Sequence, residues 1–288
     1  MKVDCHVHIT PPDISANWTQ YAEKEPYFSL LSNSKVNKFA SAEDVTAMLE
    51  TEGFDRAVVF GFGFKDLGLC RYVNDYVIEK VKQYPDKLTG FAAAPPCDKA
   101  AYEIQRCFNA GLRGVGELFP AGQDIDLSCD AGNFAANAES SADIMEITSI
   151  CKSLDIPLLL HVNEPVGHSY AGKTDVHFKK LETFITKNPG LKIILAHFGG
   201  GIFLYETMKE IKTAFANVYY DTAAAPFIYD HRIYNAIKSL GICDKLLFGS
   251  DFPILPPSRY LSALNESSLS DNEKKPVLGL NAQKLLGI

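Results

Sequence analysis

Two histidines, His6 and His8, stand one residue apart in VDCHVH at residues 3–8, and imidazole nitrogens so placed can hold a divalent ion. An isolated H-x-H pair is weak evidence, because such pairs also occur as satisfied core or surface histidines. The other histidines decide it. His161 falls at the end of the apolar run LLLHV and His197 at the end of IILA in IILAHFGG, while Asp251 follows KLLFGS directly and Glu117 closes GVGEL. Four of the seven histidines at the ends of such runs is hard to ascribe to core filling. Imidazole mixed with carboxylate is the ligand chemistry of Zn²⁺, and also of Mn²⁺ or Fe²⁺, when one position stays open for water.

Residues so far apart in sequence meet only if the fold gathers strand ends. Strands are expected at 2–8, 56–62, 88–94, 112–118, 156–162, 192–197, 217–222 and 245–250, with amphipathic helices at 41–53, 67–84, 98–110, 140–154, 174–188, 201–215 and 229–240. Ser41 three residues before Asp44 is a capping-box start, and Gly53 a helix stop. Eight strand-then-helix units predict a single-domain α/β fold over residues 1–288, a (β/α)8 TIM barrel of eight parallel strands whose C-terminal ends surround one mouth. A doubly wound sheet would carry a Gly-rich phosphate turn after its first strand, where this chain has histidines and prolines. Alternation along 3–8 predicts Asp4, His6 and His8 on one face, inside the barrel, and Val3, Cys5 and Val7 against the helices. The connections after strands one and four, 9–40 and 119–139, are long enough to be lids or binding loops. The tail LGLNAQKLLGI reads as a last helix packing on the barrel.

Composition excludes several classes. Apolar residues make up 47% and charged residues 22%, an ordinary globular balance, and no apolar run reaches the roughly 20 residues of a membrane span. MKVDCHVHIT has no secretory pattern, so a cytoplasmic location is expected. The seven cysteines are scattered without a C-x-x-C pair, which argues for small buried side chains rather than disulfides or a zinc ribbon. A net charge of −7 without a basic run speaks against nucleic acid. GFGFKDLG and GGG lack the spacing of a dinucleotide or phosphate-binding loop.

With its H-x-H after strand one, a histidine after strands five and six, G-S-D-x-P after strand eight and a closing N-A-x-x-L-L-G, the chain resembles the amidohydrolase superfamily, in its "amidohydrolase 2" branch. The resemblance spans nearly all 288 residues. That branch holds metal-dependent decarboxylases of the aminocarboxymuconate-semialdehyde type, lactonases, hydratases and hydrolases, so it implies fold and metal more firmly than reaction. Carried over, His6, His8, His161 and Asp251 match the ligands of a first metal. His197 matches either a second-metal ligand or an acid/base. Glu117 stands where binuclear members bridge two ions and is expected as a ligand, the alternative being a group that supports a ligand or contacts the substrate, so one ion or two can be held, zinc being the first expectation and manganese or iron the alternatives.

Such a site has two chemistries. In the first, a metal-activated water attacks a small ester, lactone or amide, Asp251 taking the water's proton and returning it to the leaving group, while His197 donates a proton or stabilises the oxyanion. This hydrolase is the principal expectation. The alternative is a non-oxidative decarboxylase of a small unsaturated or aromatic acid. A third reading keeps the barrel as a binding or regulatory protein. The loop HVNEPVGHSYAGK offers His168, Tyr170 and Lys173 to a small, anionic substrate, with Arg71 and Arg113 as alternatives. Asp221, at the end of strand seven, is either a hydrogen-bond partner in the site or a helix cap. The aromatics of 18–28 cover the substrate, cap the barrel, or join subunits of a homo-oligomer.

Overall fold

The computed structural model of the chain describes residues 1–36, 38–127, 138–174 and 177–288, with the backbone alone for 138–143. Cys129 and residues 128–137 of the second long connection lie outside it. Eight parallel strands form at the expected places: β1 (Val3–His8), β2 (Arg56–Phe60), β3 (Leu88–Gly90), β4 (Val115–Leu118), β5 (Leu158–Leu160), β6 (Ile193–Leu195), β7 (Val218–Asp221) and β8 (Leu246–Leu247). Most are shorter than their apolar runs, because the residues beyond leave the ladder and turn into the mouth.

The strands pair in sequence order as two ladders, β1–β2–β3 and β4 to β8, and not as one continuous cylinder. Single bridges span the seams. Ala92 pairs with Val115 at one, where Gly116 N donates to Ala92 O at 2.9 Å. Val7 pairs with Phe252 at the other, supported by Cys5 N to Phe248 O at 2.7 Å, Asp251 N to His6 O at 2.9 Å and His8 N to Phe252 O at 2.8 Å. The second seam therefore fixes the backbone of both histidines of VDCHVH beside Asp251.

One apolar cluster draws Val3 and Cys5 from β1, Val58 and Phe60 from β2, Leu159 from β5, Ile194 from β6 and Leu247 from β8. Side chains from so many strands meet only inside the barrel, and Ala282 and Leu285 of the C-terminal helix Asn281–Leu286 join them. Val3 and Cys5 thus do not face the helices, as simple alternation predicts. A register shift between Asp4 and Val7 reverses the parity. Beyond it His6 and His8 also point inward, both against the Phe60 ring at 5.1 and 4.8 Å, while Val7 packs with the helix-side core.

Helices Ala42–Glu52, with the Ser41–Asp44 capping box, Leu67–Gln83, Ala100–Asn109, Ala138–Ser153, Phe178–Lys187 and Arg232–Leu240 follow the expected pattern. Two stretches differ. Residues 9–40 hold three short helices, Pro12–Ala16, Trp18–Ala22 and Pro26–Ser32, because Ile14, Ala22 and Phe28 bury against Phe64, Cys70 and Val73. The helix expected over 201–215 is replaced by tight turns over His197–Thr207 and a short helix Lys209–Ala214. Cys5, Cys70, Cys107 and Cys151 are buried and Cys97 and Cys243 half-buried, all as free thiols. No helix among the described residues is long and apolar enough to cross a membrane.

Candidate metal centre

His6 is wholly buried, and its ring nitrogens have different surroundings. Nδ1 donates to Asp221 Oδ2 at 2.9 Å, which leaves the lone pair on Nε2. That Nε2 makes no hydrogen bond, although Glu117 Oε2 stands 3.5 Å away and Asp251 Oδ1 3.7 Å. His8 Nε2 lies 3.5 Å from Glu117 Oε2 and 3.3 Å from Asp251 Oδ1. These spacings are long for hydrogen bonds. They match two ligands of one tetrahedral ion, which at about 2.1 Å from the metal lie roughly 3.4 Å apart. The orphaned lone pair and the donor spacing together make this a site for a divalent metal ion.

The donors fall into two groups, His6 with His8 and Asp251, and Glu117 with His161 and His197. Glu117 links them. Its Oε2 faces the first, while Oε1 lies 2.9 Å from His161 Nδ1 and 3.6 Å from His197 Nε2. His197 Nδ1 donates to Ala223 O at 3.0 Å, and its Nε2 is 3.1 Å from His161 Nδ1. All six expected ligands thus come together.

Protons compete for these nitrogens, so His6 Nε2 offers its lone pair to a cation only by giving up a proton. Burial opposes charge on His6, but the Asp221 and Glu117 carboxylates outweigh it and raise its pKa well above that of a free imidazole. His197 is likewise pushed up to about 9, against burial, by its hydrogen bond and charge interaction with Glu117 and by the Asp251 charge. Against the penalty of burial, the imidazoles hold Glu117 well below the usual carboxylate range and Asp251 down at about 2. Protons and metal compete for the same nitrogens, so metal uptake at pH 7 is expected to release protons. Both histidine shifts are upward, so apparent affinity should climb with pH through the range in which these imidazoles shed their protons. Calorimetric titration in two buffers of different ionisation enthalpy checks this, and uptake with no net proton release would refute it.

Asp221 is the organiser behind the ligands. Besides His6, its Oδ1 accepts from His197 N at 2.9 Å and Ala223 N at 3.0 Å. Of the two expectations for it, the hydrogen-bond partner is the one observed. Loss of such an outer carboxylate typically costs 10- to 100-fold in metal affinity. Asp221→Asn is therefore expected to weaken metal binding by about that factor, measured by competition with a chromophoric chelator; unchanged affinity would rule the role out.

His8, Glu117, His161, His197 and Asp251 form the floor of a cavity of about 370 Å³, the wholly buried His6 not reaching it. Phe62 and Phe119, with rings stacked 4.9 Å apart, stand beside His161 in its wall. His168 and Tyr170 line it as expected. Lys173 does not: its ammonium donates to Val166 O and His168 O, at 2.5 and 3.0 Å, and lies over the Tyr170 ring, so it braces the loop rather than meeting an anion. Arg71 is engaged by Glu103 at 3.3 Å, and Arg113 bonds the carbonyls of Phe108 and Leu112; neither lines the cavity. Several lining residues were not singled out from sequence, Asn163 and Lys38 among them. Asn163 donates to His161 Nε2 at 2.9 Å and to Tyr170 OH at 3.3 Å, and Tyr170 in turn donates to Glu164 Oε2 at 2.9 Å. Its place two residues after His161, on the same side of an extended strand end, was the available signal. Lys38 is the single Lys or Arg among the described lining residues, and no pattern marks it.

The profile of the family described as Amidohydrolase matches residues 3–288. A gamma-resorcylate decarboxylase of Polaromonas sp. strain JS666 is 27% identical over 253 residues, covering 75% of each chain. A 2-amino-3-carboxymuconate-6-semialdehyde decarboxylase of Dictyostelium discoideum is 23% identical, covering 100% of this chain and 92% of its own. The solved structure of a dihydroxybenzoic acid decarboxylase from Polaromonas sp. JS666, with manganese and the inhibitor 2-nitroresorcinol bound, matches with a TM-score of 0.69 at 18% identity, over 99% of this chain and 96% of that one. That likeness bears out the α/β TIM-barrel fold. The named relatives are decarboxylases, which overturns the expectation of ester, lactone or amide hydrolysis. The ligand set could not have separated the two, because both chemistries use one constellation.

Proposed function

Since this chain belongs to the amidohydrolase family, we propose that it is a metal-dependent decarboxylase releasing CO₂ from a small aromatic or unsaturated acid. The observation that carries the proposal is a set of six metal-type donors, five of them on the floor of a largely apolar cavity flanked by Phe62 and Phe119, in a chain whose named relatives are decarboxylases. A carboxylate fits the floor and a flat conjugated body the walls.

His6, His8, His161 and Asp251 are assigned as the residues that hold the ion, with Glu117 completing the set and Asp221 fixing the His6 ring. A bound divalent ion supplies a Lewis acid that draws in the substrate carboxylate and a neighbouring oxygen and offsets their charge. The chain's own groups do the rest. Asp251 is assigned to the ion rather than to proton transfer. His197 is assigned as the donor: it opens onto the cavity, and the Glu117 and Asp251 carboxylates favour its protonated form. It delivers a proton to the carbon bearing the carboxylate. The bond to the carboxylate then breaks, its electron pair restores the unsaturation, CO₂ leaves, and His197 recovers a proton from solvent. Tyr170 and His168 line the substrate's path.

Zinc and manganese both suit a mixed imidazole and carboxylate set, and elemental analysis of isolated protein decides between them. The function is tested by incubating the metal-loaded protein with hydroxylated benzoates and unsaturated diacids and measuring headspace CO₂, before and after chelation. CO₂ release that stops on chelation and returns with metal is expected; no release from any acid, or release indifferent to metal, rejects the proposal.

A further inference from the structure

The cavity is too large and too apolar for a bare ring. A space of roughly 150 Å³ lined by aliphatic and aromatic side chains already accommodates benzene, whereas this cavity measures about 370 Å³. With a ring seated over the donors, roughly 200 Å³ would remain toward the mouth. The side chains around that remainder are mainly apolar, contributed by the 9–40 segment and by the loops after β7 and β8. Val36 and Phe227 lie in this wall and are 45% and 47% exposed. Large apolar groups left open around a concavity mark a place where an apolar ligand sits. An acid with a second anionic group at its far end would meet Lys38 alone among the described Lys and Arg residues.

We infer that the substrate acid carries an apolar substituent of several carbons on the side of the ring away from the carboxylate, seated between Leu31, Val36 and Phe39 on one side and Phe227, Ile228 and Ile254 on the other. This rests on the decarboxylase reading and goes beyond it by naming the substrate class. The donors at the floor orient the carboxylate, and the opposite end of the ring then points at this wall. Burial of each methylene there raises affinity about fourfold, until the space is filled.

The test uses the metal-loaded full chain with 2,6-dihydroxybenzoate and its 4-methyl, 4-propyl and 4-pentyl homologues, reading kcat/KM from CO₂, alongside calorimetric binding of the corresponding 5-alkylresorcinols and of 4-alkylbenzoates. Rising kcat/KM and tighter binding with chain length, at about fourfold per methylene and chiefly through KM, are expected. Val36→Asp and Phe227→Asp should flatten that slope, the ratio of pentyl to unsubstituted acid being read within each protein after its fold is checked by circular dichroism. A flat or falling slope in the native protein while the unsubstituted acid loses CO₂ overturns the inference and leaves the decarboxylase standing. Binding that tightens with chain length without CO₂ from any acid retains the apolar subsite and rejects the reaction. A flat slope together with no CO₂ rejects both.

Discussion

Asp251→Asn is expected to leave a folded protein with less than about 1% of native turnover, and with little retained metal after dialysis. The floor of that estimate is the 10- to 100-fold cost of losing an outer-sphere partner, since a group whose oxygen stands 3.3 Å from His8 Nε2 and 3.7 Å from His6 Nε2 does more than orient a ligand. The amide keeps the shape and removes the charge. Asparagine is also the replacement least disturbing to the backbone. Asp251 sits at φ +56°, in the left-handed region that Asn tolerates better than other residues with a Cβ. Loss of activity with unchanged circular dichroism and melting temperature would therefore report chemistry. Native kcat with full metal occupancy would remove Asp251 from the site.

The second large effect is on stability. Gly200→Ala should cost about 3 kcal/mol, lowering Tm by about 6–10 °C. Residues His197 to Gly201 all have positive φ, so the chain leaves β6 through a left-handed turn. Adding a Cβ at Gly200, where φ is +61°, strains the backbone and sets a carbon 2.1 Å from Asn163 O. Neither that carbonyl nor the chain carrying it moves freely, because Asn163 is anchored through Thr174 and His161. Gly53 supplies the control, with φ +70° and nothing within 4 Å of its ideal Cβ. Gly53→Ala pays the conformational term only, about 1–2 kcal/mol. Equal melting shifts in the two variants would show that the Asn163 contact is without consequence.

The fold was legible because each strand is a short apolar run closed by a turn or by a chemical residue, and that repeats along the whole chain. The ligand residues were legible for the same reason: a histidine or carboxylate ending such a run has one place to go in a parallel barrel. Local irregularity hid the rest. The register shift in β1 is invisible to alternation, so the facing of Val3 and Cys5 came out reversed while that of His6 and His8 did not. Three helices of five to seven residues between 12 and 32 are too short to impose a period on their sequence. The turn through HFGGG broke a helix that the apolar pattern of IFLYETMKEI had suggested. Lys173 looked free because its partners are backbone carbonyls of its own loop, which no side-chain pattern can reveal. Hydrolysis and decarboxylation, which share their ligands, differ in what the cavity admits, and the cavity is made of loops.

The seam between the first strand and the segment after β8 also sets an order in time. Asp4 accepts from Ser250 N across 246 positions of sequence, and the His6 carbonyl accepts from Asp251 N. His6 and His8 therefore meet Asp251 only when the first strand and the segment after β8 close on each other. Capture of an ion by these three donors follows closure of that seam, one of the longest-range contacts in the fold.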